Sequence, residues 1–202
     1  MAAVVFVILA YLIGSISFAV IVSWGFGLPD PHTYGSGNPG ATNVLRTGRK
    51  AAAALTLIGD AAKGAAALWL ARRWAPEFDV SEITLAAVAF AAFIGHLFPV
   101  YFRFRGGKGV STAAGILLAL DVRIACVALL VWLVTVLGLR YSSLASIAAA
   151  LAAPVITFYF LGWGAFTGMV LAMTALLLWR HRANIARLMN GTENRIRLSR
   201  GA

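Results

Sequence analysis

Residues 103–115, RFRGGKGVSTAAG, place three cations and four glycines in thirteen residues between two apolar stretches. Gly106, Gly107 and Gly109 free the backbone to wrap an anion, and Lys108 supplies charge. A helix opening near Val110 adds its N-terminal amides and dipole, with Ser111 and Thr112 in the first turn. The spacing is not that of a nucleotide P-loop. Phe102 stands where the first glycine is needed, and Gly109 where Ser or Thr must follow the lysine. A positive loop with a glycine break is the plainer alternative.

Two further segments are richer than connectors need to be. Residues 34–50, YGSGNPGATNVLRTGRK, gather four glycines, a proline, two asparagines and several hydroxyls around Arg46. Ser36, Thr42 and Asn43 can donate hydrogen bonds, and the planar Arg46 fork suits phosphate. Residues 179–196, WRHRANIARLMNGTENRI, read as the end of the last helix, with Asn190-Gly191 as its stop. His181 and Asn184 are three apart on one face, and Arg187 continues that row. A basic tail on anionic lipid explains the arginines. It does not explain His181, Asn184 and Glu193.

Asp60 and Lys63 lie three apart inside an apolar stretch and can pair. An ionisable residue in a membrane suggests function, whereas a pair that neutralises itself reads as structural. His96 alone reads as a hydrogen-bonded packing residue. Anion sites around Arg46 and around Lys108 suit two phosphorylated substrates at a membrane surface. No carboxylate in the first two segments is placed as a general base, and no Ser-His-Asp set is evident. Three histidines and one cysteine argue against a zinc site. The pattern points to transfer of an already activated group by positioning and charge stabilisation.

The elements that hold these segments are membrane helices. Of 202 residues, 61% are hydrophobic and 12% charged, with mean hydropathy +0.86; soluble domains carry about 25% charged residues. The first 24 residues lack a basic leader and exceed a signal-peptide core, so they read as a mature helix. Cys126 is the single cysteine, which rules out an internal disulfide. Apolar stretches at 3–24, 51–71, 82–100, 109–120, 122–139, 144–161 and 163–179 predict an all-α integral membrane protein with seven transmembrane helices in a single domain over 1–202. The fourth is short, tilted or partly re-entrant. Six spans with a shallow kink at Asp121 are the alternative. With seven, thirteen of the 17 Lys and Arg residues fall on one side, Arg197 and Arg200 among them, and only Arg72, Arg73 and Arg123 on the other. The N-terminus is then outside and the C-terminus cytoplasmic. The net charge of +10 serves the membrane side, and no nucleic-acid partner is expected.

The segments SGNPGATNVLR, GHLFPVYFRFRGGKGVSTAAG and HRANIARLMNGTEN resemble, in order and spacing, the three signature segments of the bacterial acyl-phosphate:glycerol-3-phosphate acyltransferases, the PlsY family. The resemblance spans the whole chain. It implies a multi-pass enzyme of the bacterial inner membrane whose active site faces the cytoplasm. It implies acyl transfer from acyl phosphate to the sn-1 hydroxyl of glycerol 3-phosphate, giving lysophosphatidic acid and phosphate, the first acylation of phospholipid synthesis. No cofactor and no metal are implied. Partners would be the two substrates, membrane lipid and, transiently, the soluble enzyme that makes acyl phosphate.

Carried onto this chain, the resemblance assigns catalytic roles to Ser36, Arg46, Lys108, His181 and Asn184. It assigns substrate or phosphate contacts to Gly37, Asn38, Thr42, Asn43, Gly106, Gly107, Gly109, Ser143 and Glu193, with Glu193 also bracing the third segment. The stretch RYSSLASI, residues 140–147, nominates Ser143 ahead of Ser146. Direct attack by the acceptor and an acyl-enzyme on Ser36 both stay open, as does which loop holds which phosphate. A transporter of phosphorylated solutes is the rival class. It predicts paired broken helices, and the sequence has no internal repeat.

Overall fold

The computed structural model describes residues 1–196; Arg197 and Arg200 lie outside the described residues. Every regular element among the described residues is helical. The chain divides into two compact units, Met1–Val122 and Arg123 onward.

The first unit contains α1 (Ala2–Gly14), α2 (Phe18–Gly25), the short α3 (Ala41–Leu45), α4 (Lys50–Trp74), α5 (Glu82–Leu97) and α6 (Val110–Leu120). Then follow α7 (Val122–Leu139), α8 (Ser142–Leu161), α9 (Ala165–Arg180) and α10 (Arg182–Met189). Among the described residues, five helical stretches are long and apolar enough to cross a membrane: Ala2–Gly25, Lys50–Phe78, Glu82–Phe102, Val122–Leu139 and Ser142–Leu161. Two apolar helices, α6 and α9, are shorter. At 1.5 Å per residue α6 measures about 16 Å, against about 30 Å of hydrocarbon. The backbone at Asp121 is fully extended (φ −159°, ψ 124°), a larger interruption than the kink that six spans would need.

The first apolar stretch is not the single helix expected. It breaks at Ser15–Ser17, and Ser17 is extended (φ −94°, ψ 98°). Lys63 Nζ donates to the freed Ile16 carbonyl at 2.6 Å. Ser15 Oγ donates to Tyr11 O at 2.8 Å and accepts the Val100 N–H at 3.4 Å. Hydropathy cannot reveal a break whose polar groups are satisfied by residues distant in sequence. The seventh stretch also departs from expectation. The helix ends at Arg180, His181 turns (φ −93°, ψ 3°), and α10 starts afresh.

Lipid tails are as apolar as leucine, so helices here associate by close backbone approach and hydrogen bonds rather than by hydrophobic drive. Gly14 lies against the Ala92 backbone and Gly95 against Tyr11 O, which brings α1 onto α5. Gly64 meets Thr112 O and Gly115 meets Ala61 O, which brings α4 onto α6. These two helices run parallel. Thr112 Oγ1 donates to Asp60 O at 3.0 Å, and Arg72 donates to Ala119 O and Leu120 O at 2.5 and 3.0 Å. Arg72 thereby supplies donors to the orphan carbonyls at the C-terminus of α6.

The second unit applies the same rule by another route. Pro154, buried within α8, has no N–H for the carbonyl of Ala150. Thr174 Oγ1 of α9 donates to that oxygen instead, at 2.9 Å. Trp132 Nε1 of α7 donates to Ser146 Oγ of α8 at 3.2 Å. Leu129, Leu130, Val134 and Leu137 on α7 are more than half exposed, as side chains facing lipid would be.

Candidate active site

In the first unit the glycine-rich segments lie side by side. His32 Nε2 donates to Arg105 O at 2.8 Å, and its Nδ1 lies 2.7 Å from Asp30 Oδ1. The segment around Arg46 is thus tied to the segment around Lys108. Asn43 holds the first loop in shape. It is 2% exposed, its Nδ2 donates to Pro31 O and Tyr34 O at 2.9 and 3.1 Å, and its Oδ1 accepts the Ser36 N–H at 3.0 Å. Its carboxamide is therefore spent on the loop, where the sequence suggested a ligand contact. Ser36, Gly37, Thr42 and Arg46 are exposed, and Asn38 is half-buried. Arg46 folds over Gly35, its Nη1 3.0 Å from where a Cβ would stand. The guanidinium thus lies over the glycine that directly precedes Ser36.

The second loop leaves α5 through Pro99. Arg103 and Phe104 both take left-handed backbone (φ 52° and 60°), a conformation that non-glycine residues hold only under surrounding constraint. They turn the chain back so that the Gly107 N–H donates to His96 O at 3.1 Å. A Cβ on Gly106 would run into His96 O, and one on Gly107 into His96 Nε2, with Pro39 O 3.0 Å away. Gly109 has φ +88° and faces the Phe93 ring, so no side chain fits there. The Gly107 amide is consumed internally, which departs from a cradle in which every glycine amide faces the anion. Lys108 is half-buried between Gly107 and Gly109, and the opening turn of α6 follows at once. That turn offers orphan amides and the positive end of the helix dipole.

In the second unit the third segment organises around one carboxylate. Glu193 Oε1 accepts from Ser143 Oγ at 2.7 Å and from Asn184 Nδ2 at 2.6 Å, and Oε2 accepts from Arg187 Nε at 2.6 Å. Burial pushes the Glu193 carboxyl up. The hydrogen bonds from Asn184, Ser143 and Arg187, with the Arg187 charge, outweigh burial and hold it below the usual carboxylate range. The strand of chain after α10 is pinned further by Arg195 Nε to Tyr141 Oη at 2.9 Å and by Ile196 N to Arg140 O at 2.7 Å. His181 is 2% exposed, and its Nδ1 donates to Leu177 O at 2.8 Å. That bond fixes the tautomer in which Nε2 is the acceptor of the neutral ring. Ser146 donates to Ser142 O at 2.8 Å and accepts from Trp132, so its hydroxyl serves packing while Ser143 serves Glu193.

The family model described as glycerol-3-phosphate acyltransferase matches residues 4–191. The chain belongs to the glycerol-3-phosphate acyltransferase family. It is 58% identical over 196 residues to the glycerol-3-phosphate acyltransferase of Cupriavidus necator, covering 97% of each chain. It is also 58% identical over 195 residues to that of Ralstonia pickettii, covering 96% of this chain and 94% of the relative. The fold is similar to the crystal structure of PlsY (YgiH), described as an integral membrane glycerol 3-phosphate acyltransferase, in its glycerol 3-phosphate form. The TM-score is 0.90 at 38% identity, covering 98% of this chain and 96% of that one. The lysophosphatidic acid form of the same protein matches with a TM-score of 0.89.

Within this acyltransferase, sequence reasoning gave no role to His32, because an irregular Asp-Pro-His loop carries no periodicity and its partner, Arg105, is 73 residues away. It noted Asp60, Lys63 and His96 separately. Helical spacing signalled the first pair, and nothing in the sequence joined the histidine to them.

Proposed function

We propose that this chain transfers a fatty acyl group from acyl phosphate to the sn-1 hydroxyl of glycerol 3-phosphate, giving lysophosphatidic acid and inorganic phosphate. It acts as one transmembrane acyltransferase domain in the bacterial inner membrane, with seven spans, the N-terminus outside and the site facing the cytoplasm. The glycerol 3-phosphate and lysophosphatidic acid forms of the similar crystal structure support the acceptor and the product. The bias of Lys and Arg supports the orientation. Five long helical stretches and two shorter apolar helices support the span count. The observation that carries the reading is the juxtaposition of two anion-suited loops, one bearing Ser36 and Arg46 and one bearing Lys108, joined through His32 and Arg105.

Acyl phosphate is a mixed anhydride, already activated. The sn-1 oxygen attacks the acyl carbon, the bond from that carbon to the phosphate oxygen breaks, and phosphate leaves with the electron pair. The hydroxyl proton passes to the departing phosphate, so no protein base is required. Lys108 and the opening turn of α6 hold donor phosphate charge. Arg46 binds the acceptor phosphate with its planar fork, and Ser36 orients the attacking hydroxyl. The catalytic roles of His181 and Asn184 and the substrate contact of Ser143 are those that the family resemblance implies.

The decisive assay supplies labelled glycerol 3-phosphate with palmitoyl phosphate, and in parallel with palmitoyl-CoA, to the purified protein in lipid. Labelled lysophosphatidic acid from palmitoyl phosphate alone is the expected result. Product from palmitoyl-CoA alone would overturn the donor assignment. Trapping a labelled acyl-protein with donor alone would replace direct attack by a covalent route through Ser36.

A further inference from the structure

We propose that His96, held by the buried Asp60–Lys63 pair, is a positioning residue that sets the Gly106–Lys108 loop, and that the charged pair exists for this purpose. The proposal rests on that loop being the phosphate cradle. Asp60 and Lys63 pair at 2.9 Å with side chains 3% and 2% exposed. Charges at such depth are expensive, and a buried pair often contributes no more stability than apolar residues of the same volume. The pair therefore calls for a reason beyond holding α4 together.

The surrounding contacts supply one. His96 Nδ1 lies 3.6 Å from the same Asp60 oxygen that faces Lys63. The opposite edge of the ring, Nε2, packs where a Gly107 side chain would be, and the His96 carbonyl accepts the Gly107 N–H at 3.1 Å. The imidazole thus sits between the Asp60 carboxylate, in charge contact at a distance too long for a hydrogen bond, and the residue that precedes Lys108. Lys63 extends these contacts by donating to Ile16 O at the α1–α2 break. A small crevice at this junction is lined by the break, Lys63, His96, Pro99 and the two loop glycines. Movement of Asp60 would pass through a rigid ring to the backbone that carries Lys108. Apolar residues in place of the pair would fill the volume but give the ring no orientation.

The test uses the full-length protein in lipid. Lys108→Ala, His96→Gln and Asp60→Asn are compared with wild type for KM of palmitoyl phosphate and of glycerol 3-phosphate, for kcat, and for thermal midpoint. Lys108→Ala identifies which substrate the loop serves. His96→Gln and Asp60→Asn should raise the KM of that same substrate about tenfold and leave the other within about twofold; His96→Gln keeps the thermal midpoint, whereas Asp60→Asn lowers it by leaving the buried Lys63 charge without its counter-charge. Combining Lys108→Ala with His96→Gln should raise that KM no further than Lys108→Ala alone, because the histidine acts through the loop. Additive effects, or equal rises for both substrates, would overturn the proposal.

If Lys108→Ala shifts neither KM, the cradle reading fails and the proposal falls with it, a result distinct from Lys108 acting while His96 does not. Should Asp60→Asn fail to fold, His96→Gln decides alone. A rise confined to the KM of the substrate that Lys108 serves, with the thermal midpoint kept, supports the coupling. An unchanged KM in the folded variant overturns it.

Discussion

The two units prepare candidate chemistry in opposite ways. In the first, backbone does the shaping: Gly106, Gly107 and Gly109 sit where any side chain would strike His96 or Phe93, and Arg46, on the other glycine-rich loop, is left exposed. In the second, side chains do it, with Ser143, Asn184 and Arg187 converging on one carboxylate. A backbone cradle admits no substitution but lets a phosphate approach closely. A side-chain node tolerates conservative exchange, and its order depends on a single charge. The first should therefore fail by sterics and the second by electrostatics.

The largest expected effect breaks the backbone side of this contrast. In Gly106→Ala the new methyl meets the His96 carbonyl and the Pro99 ring, and neither is the far end of a flexible chain. Displacing the loop by even about 1 Å can cost roughly 100-fold in rate. Acyl transfer should fall by at least that much, while Gly138→Ala, which meets nothing within 4 Å, changes little. A Gly106→Ala enzyme with more than about a tenth of wild-type activity would show that the loop is not sterically fixed.

How much of this was legible follows the same division. Glycine punctuation exposed the loops, because a glycine-dense stretch between apolar runs has few structural uses. The seven apolar stretches announced their helices, since composition alone decides helicity in lipid. The breaks at Ser15–Ser17 and His181 were not legible. The first is held by hydrogen bonds from residues far away in sequence, Lys63 to Ile16 O among them; at His181 the bond to Leu177 O is local, and a histidine there carries none of the stop signals that glycine or proline gives. Asn43 was legible as polar and important but not as inward-facing, because its partners are main-chain carbonyls of a loop whose path the sequence leaves open.

The side-chain node should break more gently. Glu193→Ala leaves the buried Asn184 amide without its acceptor, at about 2 kcal/mol, and should lower the thermal midpoint and reduce activity roughly tenfold. Glu193→Gln keeps the shape and should sit between that variant and wild type. pH sharpens the point. The Glu193 carboxyl is depressed in the folded protein, so its contribution is full above the unfolded value of about 4.3 and is lost as pH falls through the lower folded value. Thermal midpoints measured from pH 6 down to pH 3 should drop more steeply for wild type than for Glu193→Gln. Parallel curves would mean that the charge contributes nothing.

A smaller effect tests the clasp between the two glycine loops. His32→Phe keeps a flat ring but removes the donor to Arg105 O. One hydrogen bond of about 1 kcal/mol should appear as a roughly fivefold rise in KM for at least one substrate, with kcat nearly unchanged. A change confined to kcat would place His32 in the chemical step instead of in loop spacing.

The smallest effect carries the contrast into the helices themselves. The first unit lets glycine bring backbones together, whereas the second lets a threonine repair what a proline removed. Thr174→Val deletes the donor to Ala150 O, and hydrogen bonds between membrane helices average about 0.6 kcal/mol. The thermal midpoint should fall by only one or two degrees on that scale. Pro154→Ala supplies the missing N–H from within α8, so Thr174→Val should cost less in that background than in wild type. Equal costs in the two backgrounds would mean that the Thr174 hydroxyl is there to satisfy itself and that the carbonyl of Ala150 never needed it.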